Sequence, residues 1–130
     1  MKQIVILPLV LSVKSLFFII DKPLHGNVCA QEFLDIVLMA AAFDQRVVLL
    51  FEGDGVYALM KQQRPEMIGL KDVSPVLKAL SVYDINDISV EKESMDARAM
   101  VAEQLVIPVK IISRNEIKHQ IATADQVFSF

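Results

Sequence analysis

Short unbroken apolar runs punctuate this chain, and between them apolar residues recur every three to four positions. Ser15–Asp21 (SLFFIID) is one such run, closed by Lys22-Pro23, and predicts a strand buried on both faces. After the Pro-Leu-His-Gly turn, Asn27 can cap a helix that continues to about Phe43. Its apolar stripe is Phe33, Ile36, Val37 and Ala40, at i, i+3, i+4 and i+7. Arg46–Phe51 (RVVLLF) predicts a second buried strand, closed by Glu52-Gly53-Asp54-Gly55. A short helical piece from Val56 to about Met60 and a polar loop with Arg64-Pro65 follow. Val73, Val76, Leu77 and Leu80 return to helical spacing, with Ser74-Pro75 suited to a helix start.

Asp87–Val90 predicts a brief strand and Ser94 to about Gln104 a helix. Val106–Ile112 predicts a fourth strand, which Pro108 puts near a sheet edge or a bulge. Ser113 caps a last helix with Ile117, Ile121 and Ala124 facing inward, and Gln126–Phe130 ends the chain as a fifth strand. Strands alternating with helices imply parallel β-α-β units. The fold class is therefore α/β, a three-layer sandwich around a mostly parallel five-stranded sheet.

The chain has 130 residues, enough for one core without a disulfide or metal staple. It is 54% hydrophobic and 22% charged, which excludes disorder and leaves apolar surface for partners. The formal net charge is −3, with acids and bases interleaved. No basic run is present to neutralise phosphates, so direct nucleic-acid binding is disfavoured. A single cysteine, Cys29, cannot form an intrachain disulfide and suits a reducing compartment, hence an expected cytoplasmic location. Met1–Ile20 is apolar, but Lys14 interrupts it and no cleavage motif follows. Neither a membrane span nor a signal peptide is expected.

In such sheets ligands gather at the carboxyl ends of the strands. Those ends are Asp21–Gly26, Glu52–Gly55, Glu91–Ser94 and Ser113-Arg114. The chain holds four glycines and no phosphate-cradling pattern, so no nucleotide cofactor is expected. Glu52-Gly53-Asp54-Gly55 suits a tight turn that uses glycine's freedom at positive φ. There is no nucleophile elbow. His25 and His119 lack metal-ligand spacing and suit surface or capping roles, so no metal is expected. Cys29 falls in the first turn of the first helix, where free N–H groups favour a thiolate. It is a thiol candidate, although cysteine between Val28 and Ala30 equally suits a small packing role.

Several short motifs, each weak alone, keep a common order: Phe51, Asp54, Gly55, Val56 and Tyr57; Gln62 and Pro65; Leu80, Tyr83, Asp84 and Ile85. Pro23, His25, Gly26, Leu34-Asp35 and the closing Phe130 join them. In these the chain resembles the TusC/DsrF branch of the DsrE-like sulfur-relay proteins, from about residue 14 to the end. The resemblance implies an oligomer: a heterohexamer with TusB-like and TusD-like chains. Such a complex takes persulfide sulfur from a TusA-like donor and passes it to a TusE-like acceptor. The end use is 2-thiolation of the tRNA wobble uridine or, in sulfur oxidisers, dissimilatory sulfur metabolism. Counting forward from Tyr83-Asp84-Ile85, the relay cysteine of the carrier chains falls here on Glu91, and a carboxylate cannot carry a persulfide. The resemblance thus implies a non-catalytic supporting subunit, and Glu91-Lys92-Glu93 by its own residues suits a solvated turn. It also implies an N-terminal extension at 1–13 before a single domain at 14–130. Two alternatives stay open: a stand-alone thiol sulfurtransferase using Cys29, and a small-molecule binder using a crevice near Asp21, His25 and Asp54.

Overall fold

A computed structural model describes residues 13–61, 63, 67, 69 and 72–129. Five strands, β1 (Ser15–Ile20), β2 (Arg46–Phe51), β3 (Asp87–Glu91), β4 (Lys110–Ile112) and β5 (Gln126–Ser129), form one sheet in the order β4-β3-β2-β1-β5. All four pairings are parallel. Successive side chains of a strand point to opposite faces. Phe18, Ile20, Leu49 and Phe51 therefore build a large core on one face, while Phe17, Ile19, Val48 and Leu50 build a smaller one on the other. This two-sided burial is why β1 and β2 are continuous apolar runs.

α1 (Val28–Ala42), α2 (Ser74–Lys78) and α3 (Lys92–Ala97) contribute to the large core, and α4 (Arg114–Thr123) covers the small one. The result is the expected three-layer α/β sandwich. Asn27 caps α1 by accepting the Ala30 N–H at 3.0 Å, and Ser113 caps α4 by accepting the Glu116 N–H at 3.2 Å. Ile117 is the residue α4 buries, with Ile121 and Ala124 packed beside it. No described helix is long and apolar enough to cross a membrane.

Four local expectations are corrected. α1 buries Ala30, Phe33, Leu34 and Val37, whereas Ile36 is 54% exposed. Apolar residues run almost all round this helix, so spacing alone did not select its inward face. The helix expected from Ser94 to Gln104 is α3, which stops at Ala97, followed by a 3₁₀ turn at Ala102–Gln104. Ala99 takes a left-handed conformation (φ 53°), and the Met100 N–H bonds back to the Met95 carbonyl at 3.0 Å. That closes the helix in the manner usually reserved for glycine. Only Lys110–Ile112 of the expected fourth strand joins the sheet, because Val106 donates its N–H to the Leu59 carbonyl at 2.7 Å instead. The helical piece after β2 is a 3₁₀ segment, Gly53–Leu59. The Arg64-Pro65 loop, Gln62, Phe130 and residues 1–12 of the expected extension lie outside the described residues.

Candidate functional site

The carboxyl ends of β1, β2 and β3 open into a cleft of about 550 Å³ lined by Asp21, Glu52, Asp54, Glu91, Arg98 and Arg114 among others. Its floor is set by one backbone approach. Gly55 lies so close to β1 that a Cβ there would stand 2.0 Å from the Ile20 carbonyl oxygen, and only glycine fits. The 3₁₀ segment can therefore fold back against β1, carrying Glu52 and Asp54 to the cleft.

Glu91 ends β3 and is 3% exposed, so it is not part of a solvated turn. Both carboxylate oxygens are engaged. The Arg114 guanidinium donates to Oε2 through Nε and to Oε1 through a terminal nitrogen, each at 3.0 Å. The Ser94 hydroxyl donates to Oε1 as well, and the same Ser94 oxygen accepts the Gly53 N–H at 2.9 Å. The Arg114 hydrogen bonds beside it hold the Glu91 carboxyl below its ordinary range, ahead of the opposing effect of burial. Only Lys92 and Glu93 of the expected solvated turn face water, and Glu93 accepts the Arg114 N–H at 3.0 Å.

Arg98, from the end of α3, completes the arrangement. It donates twice to Asp54 Oδ1, at 3.2 and 2.8 Å, and once to the Ser94 carbonyl at 3.1 Å. Its guanidinium carbon stands 5.8 Å from the Tyr57 ring centroid. Five carboxylates (Asp21, Glu52, Asp54, Glu91, Glu93) thus meet two guanidiniums. Burial, then the charges of Glu91 and Asp21, push the Glu52 carboxyl up from its ordinary value. The cleft therefore has a carboxylate at Glu91 held at both oxygens and one at Glu52 whose charged form burial and its neighbours disfavour. Neither is a nucleophilic thiol, and the acidic lining repels anions.

The strand ends read from sequence supply Asp21, Glu52, Asp54, Glu91, Ser94 and Arg114, and the fold brings them together. Arg98 was missed because it comes from a helix end, with no spacing that links it to Asp54. His25 is not at this cleft. Its Nε2 accepts the Val73 N–H at 3.2 Å and lies 3.4 Å from Asp72, tying the turn before α1 to the start of α2. The binder envisaged at Asp21, His25 and Asp54 thus has no common crevice. Cys29 is exposed in the first turn of α1 and lines no part of the cleft. His119 is exposed on α4. Among the described residues no cluster of three or more His, Cys, Asp or Glu is placed to hold a metal ion.

A TusC homolog from Vibrio parahaemolyticus is 35% identical over 106 residues, covering 82% of this chain and 90% of that protein. The intracellular sulfur oxidation protein DsrF of Allochromatium vinosum is 33% identical, covering 91% and 97%. In three dimensions the YchN protein of E. coli superimposes with a TM-score of 0.76 at 18% identity, over 91% of this chain and all of that one. The family model of DsrE/DsrF-like proteins matches residues 14–130. The chain belongs to the DsrE/DsrF-like family.

Proposed function

We propose that this chain is a supporting subunit of a cytoplasmic sulfur-relay complex, working beside TusB-like and TusD-like chains. A TusA-like donor would feed the complex and a TusE-like acceptor would drain it toward tRNA wobble-uridine 2-thiolation or sulfur oxidation. Residues 14–130 would form the whole working domain, with residues 1–13 an extension before it. The names of the TusC and DsrF relatives support the pathway. One observation carries the supporting role. Glu91 ends β3, where the family resemblance would put a relay residue, and its two oxygens accept from Arg114 and Ser94. A carboxylate held in this way is a poor nucleophile toward a persulfide and has no sulfur to hold one.

The test is sulfur loading. Purified chain incubated with a protein persulfide donor should gain no sulfur atom on the β3–α3 junction peptide by mass spectrometry. The reconstituted complex should transfer sulfur at an unchanged rate when this chain carries Cys29→Ser. A second reading, a stand-alone thiol sulfurtransferase, is favoured only by the exposure of Cys29. It requires the opposite results: loading on Cys29 and loss of transfer in the serine variant. An alkylation pKa near the ~8.5 of free cysteine would also count against it.

A further inference from the structure

α1 buries one face and leaves the other unpartnered among the described residues. Along that outer face Val28 (67% exposed), Ile36, Met39 (59%) and Phe43 (71%) form one stripe at helical spacing, running the whole length of the helix. The helix carries two charged side chains, Glu32 and Asp35, both acids and both exposed on the same side. Neither has an ion pair among the described residues. Beside the stripe, between α1 and α2, lies a notch of about 140 Å³. Leu34, Val73 and Val76 line its apolar part, and Glu32 and Asp35 stand with Val28 among its other lining residues.

A notch that is apolar within and carboxylate-lined suits a lysine or arginine, whose methylene stem lies on apolar surface while the charged head meets the acids. A second copy of this chain docked α1 against α1 is the wrong occupant. The stripe's midpoint falls at Asp35-Ile36, so an antiparallel α1–α1 pair would bring Asp35 against Asp35 with no cation from either helix. An occupant without a cation would strip water from two unpaired carboxylates, a cost that apolar contact does not offset well. An anionic lipid surface is opposed by the same two charges.

We infer that the outer face of α1 docks a segment of a different subunit that presents a row of apolar side chains and at least one lysine or arginine, the cation seated in the α1–α2 notch. The partner's class rests on the reading above that the chain works in a multi-chain complex.

The experiment co-expresses the full chain with TusB-like and TusD-like chains from the same organism and measures co-purification and the dissociation constant. Met39→Glu, and separately Glu32→Lys with Asp35→Lys, should weaken the complex at least tenfold. Lys118→Glu on the exposed side of α4 should leave it within twofold. Glu32→Gln with Asp35→Asn should weaken it several-fold and flatten its dependence on salt between 50 and 500 mM. Since all these positions are exposed, thermal melting should stay within a few degrees of the parent protein. If the parent complex forms and the α1 variants bind within twofold of it, the docking face is overturned while the multi-chain reading stands. If the parent forms no complex at all, that reading falls and takes the partner assignment with it. A homodimer that the α1 variants dissociate would overturn the choice of occupant.

Discussion

Two strand-to-helix junctions of this molecule are built on opposite plans. After β1 the chain passes through an exposed turn into a long helix, capped by Asn27, whose first turn presents Cys29 to solvent. After β3 it turns at once into α3, six residues long, and the residue at the turn, Glu91, is buried and bonded from two sides. A sulfur carrier needs a thiol that can be approached and can leave with its cargo. The first junction has the thiol and the access, yet its cysteine lies outside the strand-end cleft. The second lies in the cleft, and a carboxylate and a guanidinium close it. Access and position have been separated in this chain, and the junction after β3 serves as a strut joining β3, α3 and α4.

The most damaging way to break this contrast is to remove the seam between β1 and the segment after β2. Gly55→Ala would drive a methyl group to 2.0 Å from the Ile20 carbonyl, against backbone that cannot yield cheaply. A loss on the order of 3 kcal/mol is expected in denaturant titration. A melting midpoint near that of the parent would show that the 3₁₀ segment is not held as described.

The strut itself comes next. Glu91→Ala leaves the proton of the buried Ser94 hydroxyl without its acceptor and removes both carboxylate acceptors of the Arg114 side chain, so about 2 kcal/mol should be lost. This loss should depend on pH. The folded-state carboxyl titrates below its ordinary value of 4.5, so its contribution is present above that value and disappears as pH falls through the lowered one. Urea midpoints of the parent and of Glu91→Ala should therefore converge in acid. Parallel pH profiles would remove Arg114 as the cause of the shift.

How much of this was legible in the sequence depended on whether a signal was local. β1 and β2 announce themselves because burial on both faces demands unbroken apolar runs. Asn27 and Ser113 announce α1 and α4 because a cap is a one-residue signal. The end of α3 was not legible. Ala99 adopts the left-handed conformation that glycine normally marks, held there by the Met95–Met100 bond and the burial of both methionines. The strand ends could be enumerated, and they held most of the cleft. What could not be read is that Glu91 is buried, since its burial depends on Arg114, twenty-three positions along, arriving through the β4–α4 connection. Spacing is blind to such a pairing.

At the first junction smaller effects are expected. Asn27→Ala removes the side-chain acceptor of the Ala30 N–H in the first turn of α1 and should cost about 1 kcal/mol in urea unfolding. A negligible change would show that the long apolar packing of α1 fixes this end without its cap.

The smallest expected effect has the opposite sign and isolates the charge of the second junction from its hydrogen bonds. Glu52 touches the same cleft without being part of the strut, and its carboxyl titrates above the ordinary value through burial and through the charges of Glu91 and Asp21. A raised folded-state value means that ionised Glu52 opposes folding. The stability associated with its proton is fully present below the ordinary value and lost as pH rises through the raised one. Glu52→Gln should consequently be slightly more stable than the parent at pH 7 and lose that advantage at pH 4, where the parent carboxyl is largely protonated. The same substitution in Glu91→Ala should give a smaller gain, because the larger of the two opposing charges is already gone. An equal gain in both backgrounds would mean that Glu52 and Glu91 do not share the cleft's field, and the closed junction would then owe its stability to hydrogen bonding alone.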